Sequence, residues 1–180
     1  MTSPTSGEGA LSGLRVLDFT HFLAGPVATL ILADGGADVI KIENAAGGDN
    51  FRHFLPADPR LGGEGIPFHW CNRNKQSVAL DLKSAAGRDI ALALAREADI
   101  VVENFSGKVM ENLGLGWEVL RAANPRLIYC AISAYGRDGE FASRLGFDPV
   151  TQAESGFMSL NGYPDRDGVR SGASVMDIST

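Results

Sequence analysis

Asp177 stands behind the small-residue run Ser171-Gly172-Ala173-Ser174, with Val175 and Met176 between them. A carboxylate entered from an apolar stretch, with little bulk around it, is partly desolvated and can attack an activated carbonyl to form a covalent acyl intermediate. An aspartate after an apolar run equally fits a helix cap, and both readings stand at this level. Asp148, just before Pro149, meets the same objection. A second set of residues suits ligand binding. The run Thr20-His21-Phe22-Leu23-Ala24-Gly25-Pro26 joins an apolar segment to a helix start, where backbone N–H groups can face an anion. It lacks G-x-G-x-x-G, so it does not read as an ordinary dinucleotide site. Phe22 and Leu23 could wall an adenine ring with His21 as a polar neighbour, or could anchor the loop in the core. Asn104 and Phe105 close another apolar segment; the first could hydrogen-bond a ligand and the second stack on it, or they could form a turn over a half-buried ring. Lys41, Arg73 and Lys75 fall near strand ends, where cations meet phosphates, though each alone also suits a solvated surface.

These groups need elements to hold them. Arg15 to Phe19 reads as a short strand, and Pro26 opens a helix that runs to about Leu32 and stops near Gly35-Gly36. Ala37 to Ile42 reads as the next strand, which makes a parallel pair with a right-handed crossover. The alternation continues with a strand at Val78 to Leu82, a helix capped by Ser84 through Ala98, and a strand at Ile100 to Val102. A helix at Trp117 to Ala123 and a strand at Leu127 to Ile132 follow. This order predicts an α/β fold with a Rossmann-like, doubly wound, mainly parallel sheet. Residues 44 to 76 and 134 to 148 break the pattern and read as long binding or covering loops. Pro149 to Met158 is a candidate last helix.

Composition narrows the partners. A net charge of −6 and a pI near 5.0 oppose a nucleic-acid footprint, so a polyanionic ligand needs a local basic pocket. No stretch reaches the roughly 18 to 20 apolar residues of a membrane span, and Met1 to Gly9 has neither a basic nor an apolar leader segment. The expectation is a cytoplasmic protein with a flexible leader over residues 1–10 and one domain over 11–180. Cys71 and Cys130 lack metal-ligand spacing, so no metal is expected, and Cys130 lies in what reads as a buried strand.

Five segments in order resemble the class III CoA-transferase family, of the CaiB/BaiF type, from about Leu11 onward. They are Val16 to His21 with Ala24-Gly25-Pro26, Gly36 to Glu43, Asn72 to Ser77, Val102 to Phe105, and Gly172 followed five positions later by Asp177. The resemblance implies that Asp177 is the catalytic aspartate of a CoA transfer through a covalent aspartyl intermediate. It implies that His21, Phe22, Leu23 and Ala24, with Lys75, Asn104 and Phe105, surround CoA; Arg73 is added as a candidate phosphate contact. CoA or acyl-CoA is then a substrate beside a carboxylic acid, with no permanently bound cofactor. Asn44 and Asn112 occupy positions where relatives such as formyl-CoA transferase carry arginines, which leaves Arg52, Arg73 and Arg144 as candidate phosphate contacts. The family's longer chains imply that this one is an N-terminal, truncated CoA-binding portion of an interlocked homodimer. Two alternatives accompany this expectation: an acyl-CoA racemase or epimerase, and a truncated CoA-binding fragment without turnover. Phe147 stands where the racemases carry their proton-transferring histidine, and a phenyl ring accepts no proton. Acyl specificity is expected in residues 157 to 170, where Tyr163, Arg166 and Arg170 could face a dicarboxylate.

Overall fold

The computed structural model describes residues 9–180; most of the expected leader lies outside the described residues. Five strands, β1 (Arg15–Asp18), β2 (Asp38–Asn44), β3 (Lys75–Leu80), β4 (Ile100–Glu103) and β5 (Ile128–Ala131), form one sheet in the order β3-β2-β1-β4-β5, every neighbouring pair parallel. The α/β, Rossmann-like architecture is therefore the one the alternation of elements predicts. After β3 the chain crosses to the far side of β1, so the strand order reverses between β1 and β4. At such a reversal the loops leaving neighbouring strand ends diverge and leave a crevice beyond the carboxyl edge.

The period-two alternation of side chains divides the core. Val16 packs with Ala33, Val39 and Val102 on the face that carries helix α1 (Ala24–Asp34). Leu17 and Phe19 pack with Ala91, Ala95, Val101 and Leu120 on the face covered by helices α3 (Ala85–Arg96) and α5 (Trp117–Ala123). Small alanines on α3 bring that helix close to the strands.

Between β2 and β3, where the sequence reads as loop, stands helix α2 (Ile66–Asn72). It buries only Phe68, Cys71 and Asn72, and its glycine-rich flanks hide the short period. β3 begins at Lys75 rather than Val78, because residues 75–77 are polar and apolar patterning starts only at Val78. Helix α3 (Ala85–Arg96) starts as expected, with Ser84 Oγ accepting from Gly87 N at 3.0 Å. A short helix α4 (Val109–Asn112) and helix α5 (Trp117–Ala123) lead to β5. Cys130 is exposed rather than buried, since β5 is an edge strand whose outer face is uncovered and whose Ile128 is 62% exposed. Helix α6 (Asp148–Glu154) is shorter than the expected Pro149–Met158 span because Gly156 turns left-handed at φ 80°. A short helix α7 (Val175–Ser179) packs against α1 and α6 and carries Asp177.

Candidate active site

The crevice at the strand reversal is built first by the loop leaving β1. Phe19 N still donates to Val102 O at 2.8 Å, after which the backbone departs from the sheet. Thr20 N and Oγ1 both donate to Asp18 Oδ1, at 2.8 and 2.5 Å. Asn104, just past β4, grips His21 on both sides: its Oδ1 accepts from His21 N at 2.9 Å and its Nδ2 donates to His21 O at 2.8 Å. Phe22 is held at φ 62°, a conformation that costs a bulky residue about 1–3 kcal/mol. Its N–H donates to Asp49 Oδ1 at 3.3 Å, and its ring meets Phe51, Phe54 and Phe147 edge-on with centroids 5.9 to 6.2 Å apart. Gly25 is needed where α1 passes the loop, because a Cβ there would lie 2.4 Å from Thr20 Cβ and 3.1 Å from Asn104 Cγ.

Beneath the loop lies a buried ionic layer. Lys75 Nζ, with a side chain 1% exposed, shares its three N–H donors among four acceptors within hydrogen-bond distance, Asp18 Oδ2 (3.1 Å), Thr29 Oγ1 (2.8 Å), Pro26 O (2.9 Å) and Asn72 Oδ1 (2.9 Å). Lys41 Nζ donates to Thr20 O at 2.6 Å and pairs with Asp49 Oδ2 at 3.0 Å. Burial by itself raises the Asp18 carboxyl, but Lys41, Lys75 and the two threonine hydroxyls outweigh it and hold the group below its ordinary range. The Lys75 ammonium is pushed down, since burial exceeds what Asp18 returns to it. Burial likewise lowers His21, which is mainly neutral at pH 7.

Above this layer opens a cavity of about 560 Å³, large enough for part of an extended cofactor-sized molecule. His21, Phe22, Leu23, Ala24, Asn104, Phe105 and Asp177 all line it. Asp177, half-buried, thus shares one wall system with residues 72 to 156 positions earlier in the sequence, because α7 packs against α1. Burial raises the Asp177 carboxyl, and the carboxylate of Asp148 raises it further. Two of the expected residues are elsewhere. Lys75 lies in the ionic layer beneath the loop, and Arg73 lies on the surface, donating to Asp34 Oδ2 at 2.5 Å. Among the other candidate phosphate contacts, Arg52 is held between Glu43 and Glu64 at 2.6 and 2.7 Å, away from the cavity wall. Arg144 lines the cavity, stacked 4.9 Å from the Tyr135 ring centroid and paired with Glu154. Tyr163, Arg166 and Arg170 are exposed and outside the cavity lining, with Arg166 paired to Asp165.

Asp148 is not the cap of its own helix. It is buried at the first position of α6 and its Oδ1 accepts from Met176 N at 2.9 Å, one residue before Asp177. Sequence reading missed Met176, Phe147 and Thr151 as wall residues, and it missed Gln152 behind them. The i,i+4 spacing of Asp148 and Gln152 on one helix face was the only signal available. Because Asn104 satisfies the His21 backbone rather than waiting free, Asn104→Ala is expected to destabilise the fold by about 1–3 kcal/mol through the two lost hydrogen bonds and the backbone groups left unsatisfied. Urea unfolding of the variant beside the wild type checks this.

The sequence profile of CoA-transferase family III matches residues 11–180. An acyl-CoA transferase of Fusarium pseudograminearum is 42% identical over 186 residues, covering 100% of this chain and 41% of that protein. A succinate–glutarate CoA-transferase of Agrobacterium fabrum is 42% identical, covering 100% of this chain and 46% of that protein. The crystal structure of a CaiB/BaiF family protein from Brucella suis superposes with a TM-score of 0.91 at 40% identity, over 96% of this chain and 46% of that one. The chain spans about half the length of the relatives it matches.

Proposed function

We propose, from the premise that this chain belongs to CoA-transferase family III, that its protein moves CoA from an acyl-CoA to a free carboxylic acid through a covalent intermediate on Asp177. The observation that carries this reading is the half-buried Asp177 carboxylate on the wall of the same cavity as the His21–Ala24 loop and the Asn104-Phe105 pair. A carboxylate oxygen of Asp177 attacks the thioester carbonyl, the C–S bond breaks, and CoA leaves as a thiolate with a mixed anhydride on the enzyme. The thiolate then attacks the aspartyl carbonyl, which releases the donor carboxylate and leaves an aspartyl-CoA thioester. The acceptor carboxylate attacks that thioester, and the thiolate returns to the acceptor's carbonyl, regenerating Asp177. No proton is consumed in any step. Apolar walls from Phe22, Phe105 and Phe147 support the exclusion of water from the anhydride. With the thiol held by the pantetheine arm, the activated acyl group keeps its energy through two exchanges.

The acids are read as dicarboxylates, which the succinate–glutarate relative supports. Arg144 is the guanidinium at the cavity wall that could meet a phosphate or a second carboxylate. The same reading assigns the full protein to the cytoplasm as an interlocked homodimer; among the described residues no helix is long and apolar enough to cross a membrane. Phe147 stands on the cavity wall at the position where the resembling racemases carry their proton-transferring histidine, and its ring accepts no proton, which favours transfer over proton exchange at an α-carbon.

Incubating the full protein with succinyl-CoA and hydroxylamine is expected to leave a hydroxamate on Asp177, detected by peptide mass spectrometry. Solvent deuterium entering the α-carbon without CoA exchange, and no adduct on Asp177, would turn the assignment to an isomerase. CoA binding without turnover would make it a binding unit.

A further inference from the structure

Gln152 lies on α6 with its side chain fully buried, one turn after Asp148. Its Oε1 accepts from Ser171 N at 2.9 Å, and its Nε2 donates to Asp148 Oδ2 at 2.6 Å and to Ala173 O at 3.2 Å. Asp148 in turn accepts from Met176 N. Two side chains on one helix therefore hold three backbone positions of the segment that ends in Asp177. Residues 171–174, ahead of α7, have little else to hold them. Gly172 and Ala173 are exposed, Ser171 and Ser174 are half-buried, and a side chain added at Gly172 would touch nothing within 4 Å. Between α6 and the packed helix α7, residues 171–174 are positioned by their polar bonds, and the amide's orientation is dictated because one end must accept from Ser171 while the other donates twice.

We propose that Gln152 is a positioning residue for the transfer: with Asp148 it ties Ser171, Ala173 and Met176 into one arc and sets where the Asp177 carboxylate enters the cavity. This rests on the reading of Asp177 as the nucleophile. Gln152 does not line the cavity and so acts only through the segment it holds. Its neutrality matters as well. Asp148 already raises the Asp177 carboxyl, and a second anion at 152 would add to that repulsion. The other ionisable groups facing the cavity with Asp177 are His21 from the β1 loop and Tyr135 and Arg144 from the stretch before α6. Helix α1, against which α7 also packs, carries Asp34 as its sole ionisable residue, at its far end.

The test uses the full protein with Gln152→Met, which keeps the length and removes the bonds, and Gln152→Glu, which keeps the acceptor and loses the donor. Both are expected to lower kcat for CoA transfer about 10²-fold, the cost of a misplaced reacting group, with CoA affinity by calorimetry unchanged. Gln152→Glu is also expected to move the acid limb of kcat to higher pH. Adding Asp148→Asn to Gln152→Glu restores a donor–acceptor match across the pair but not to Ala173 O, and is expected to recover part of kcat and return the limb. Wild-type kcat in both single variants overturns the proposal, as does a loss of kcat that only tracks lost CoA binding and lost near-UV circular dichroism. Asp177→Ala separates the two levels: transfer surviving in it removes the nucleophile reading, whereas its inactivity beside fully active Gln152 variants removes only the positioning role.

Discussion

Asp177→Ala in the full protein is expected to lower CoA transfer by roughly 10⁴-fold or more, the scale seen when a covalent nucleophile is deleted. CoA affinity should hardly change, because the loop of His21 to Ala24 and the Asn104 clamp remain intact around the cavity. The measurement is steady-state transfer between two acids beside calorimetric CoA binding, and transfer within tenfold of wild type would sink the assignment. Asp177→Asn should be nearly as inactive, since an amide of the same shape does not attack a thioester. The pH profile adds an independent check. Burial, then the neighbouring Asp148, raise the Asp177 carboxyl above its ordinary 3.8. Only the ionised form is nucleophilic, so activity should fall as pH drops through that raised value. The acid limb therefore lies above the range of an exposed aspartate, and Asp148→Asn should move it down.

Asp18→Ala is expected to cost about 3–5 kcal/mol of stability, the largest structural effect of a single substitution here. Asp18 is fully buried and accepts from Thr20, Thr29 and Lys75. Removing it strands an ammonium beneath the His21–Ala24 loop with Lys41 as a like-charged neighbour, and leaves both threonine hydroxyls without their acceptor. Replacing both ends together, as Asp18→Leu with Lys75→Met, should cost less than the single change, because no uncompensated charge stays behind. Urea unfolding of the purified protein measures both. The carboxyl's depressed value in the folded state also predicts a pH dependence. Its stabilising contribution is complete above the unfolded carboxylate's value and is lost as pH falls through the folded one. An Asp18→Asn variant should show a flatter decline of urea midpoint in acid. An equal decline would place the acid sensitivity in other carboxylates.

Much of the scaffold is legible in the order of residues. Short apolar runs at β1, β2, β4 and β5, each punctuated by glycine, proline or a serine cap, carry their own local signals. Helix α2 and the first residues of β3 are not legible, because their burial comes from partners far away: Lys75 is buried where Asp18 supplies the countercharge and Thr29 accepts from it. Cys130 shows the opposite error, since an apolar run says nothing about whether its strand lies at an edge.

Residue types and their spacing alone determined the alternating α/β order and the loop at the end of β1, because each depends on signals within a few positions of itself, and they named Asn104, Phe105 and Asp177 as candidates without placing them. Tertiary packing alone decided that α7 folds against α1 and α6 so that Asp177 meets that loop, and that Lys75 and Arg73 serve the scaffold instead of the cavity wall. It also decided that Asp148 and Gln152 face the segment before the carboxylate rather than solvent. Burial, charge pairing and backbone gripping across 20 to 85 positions are properties of three-dimensional proximity, which the strand order creates and no local pattern encodes.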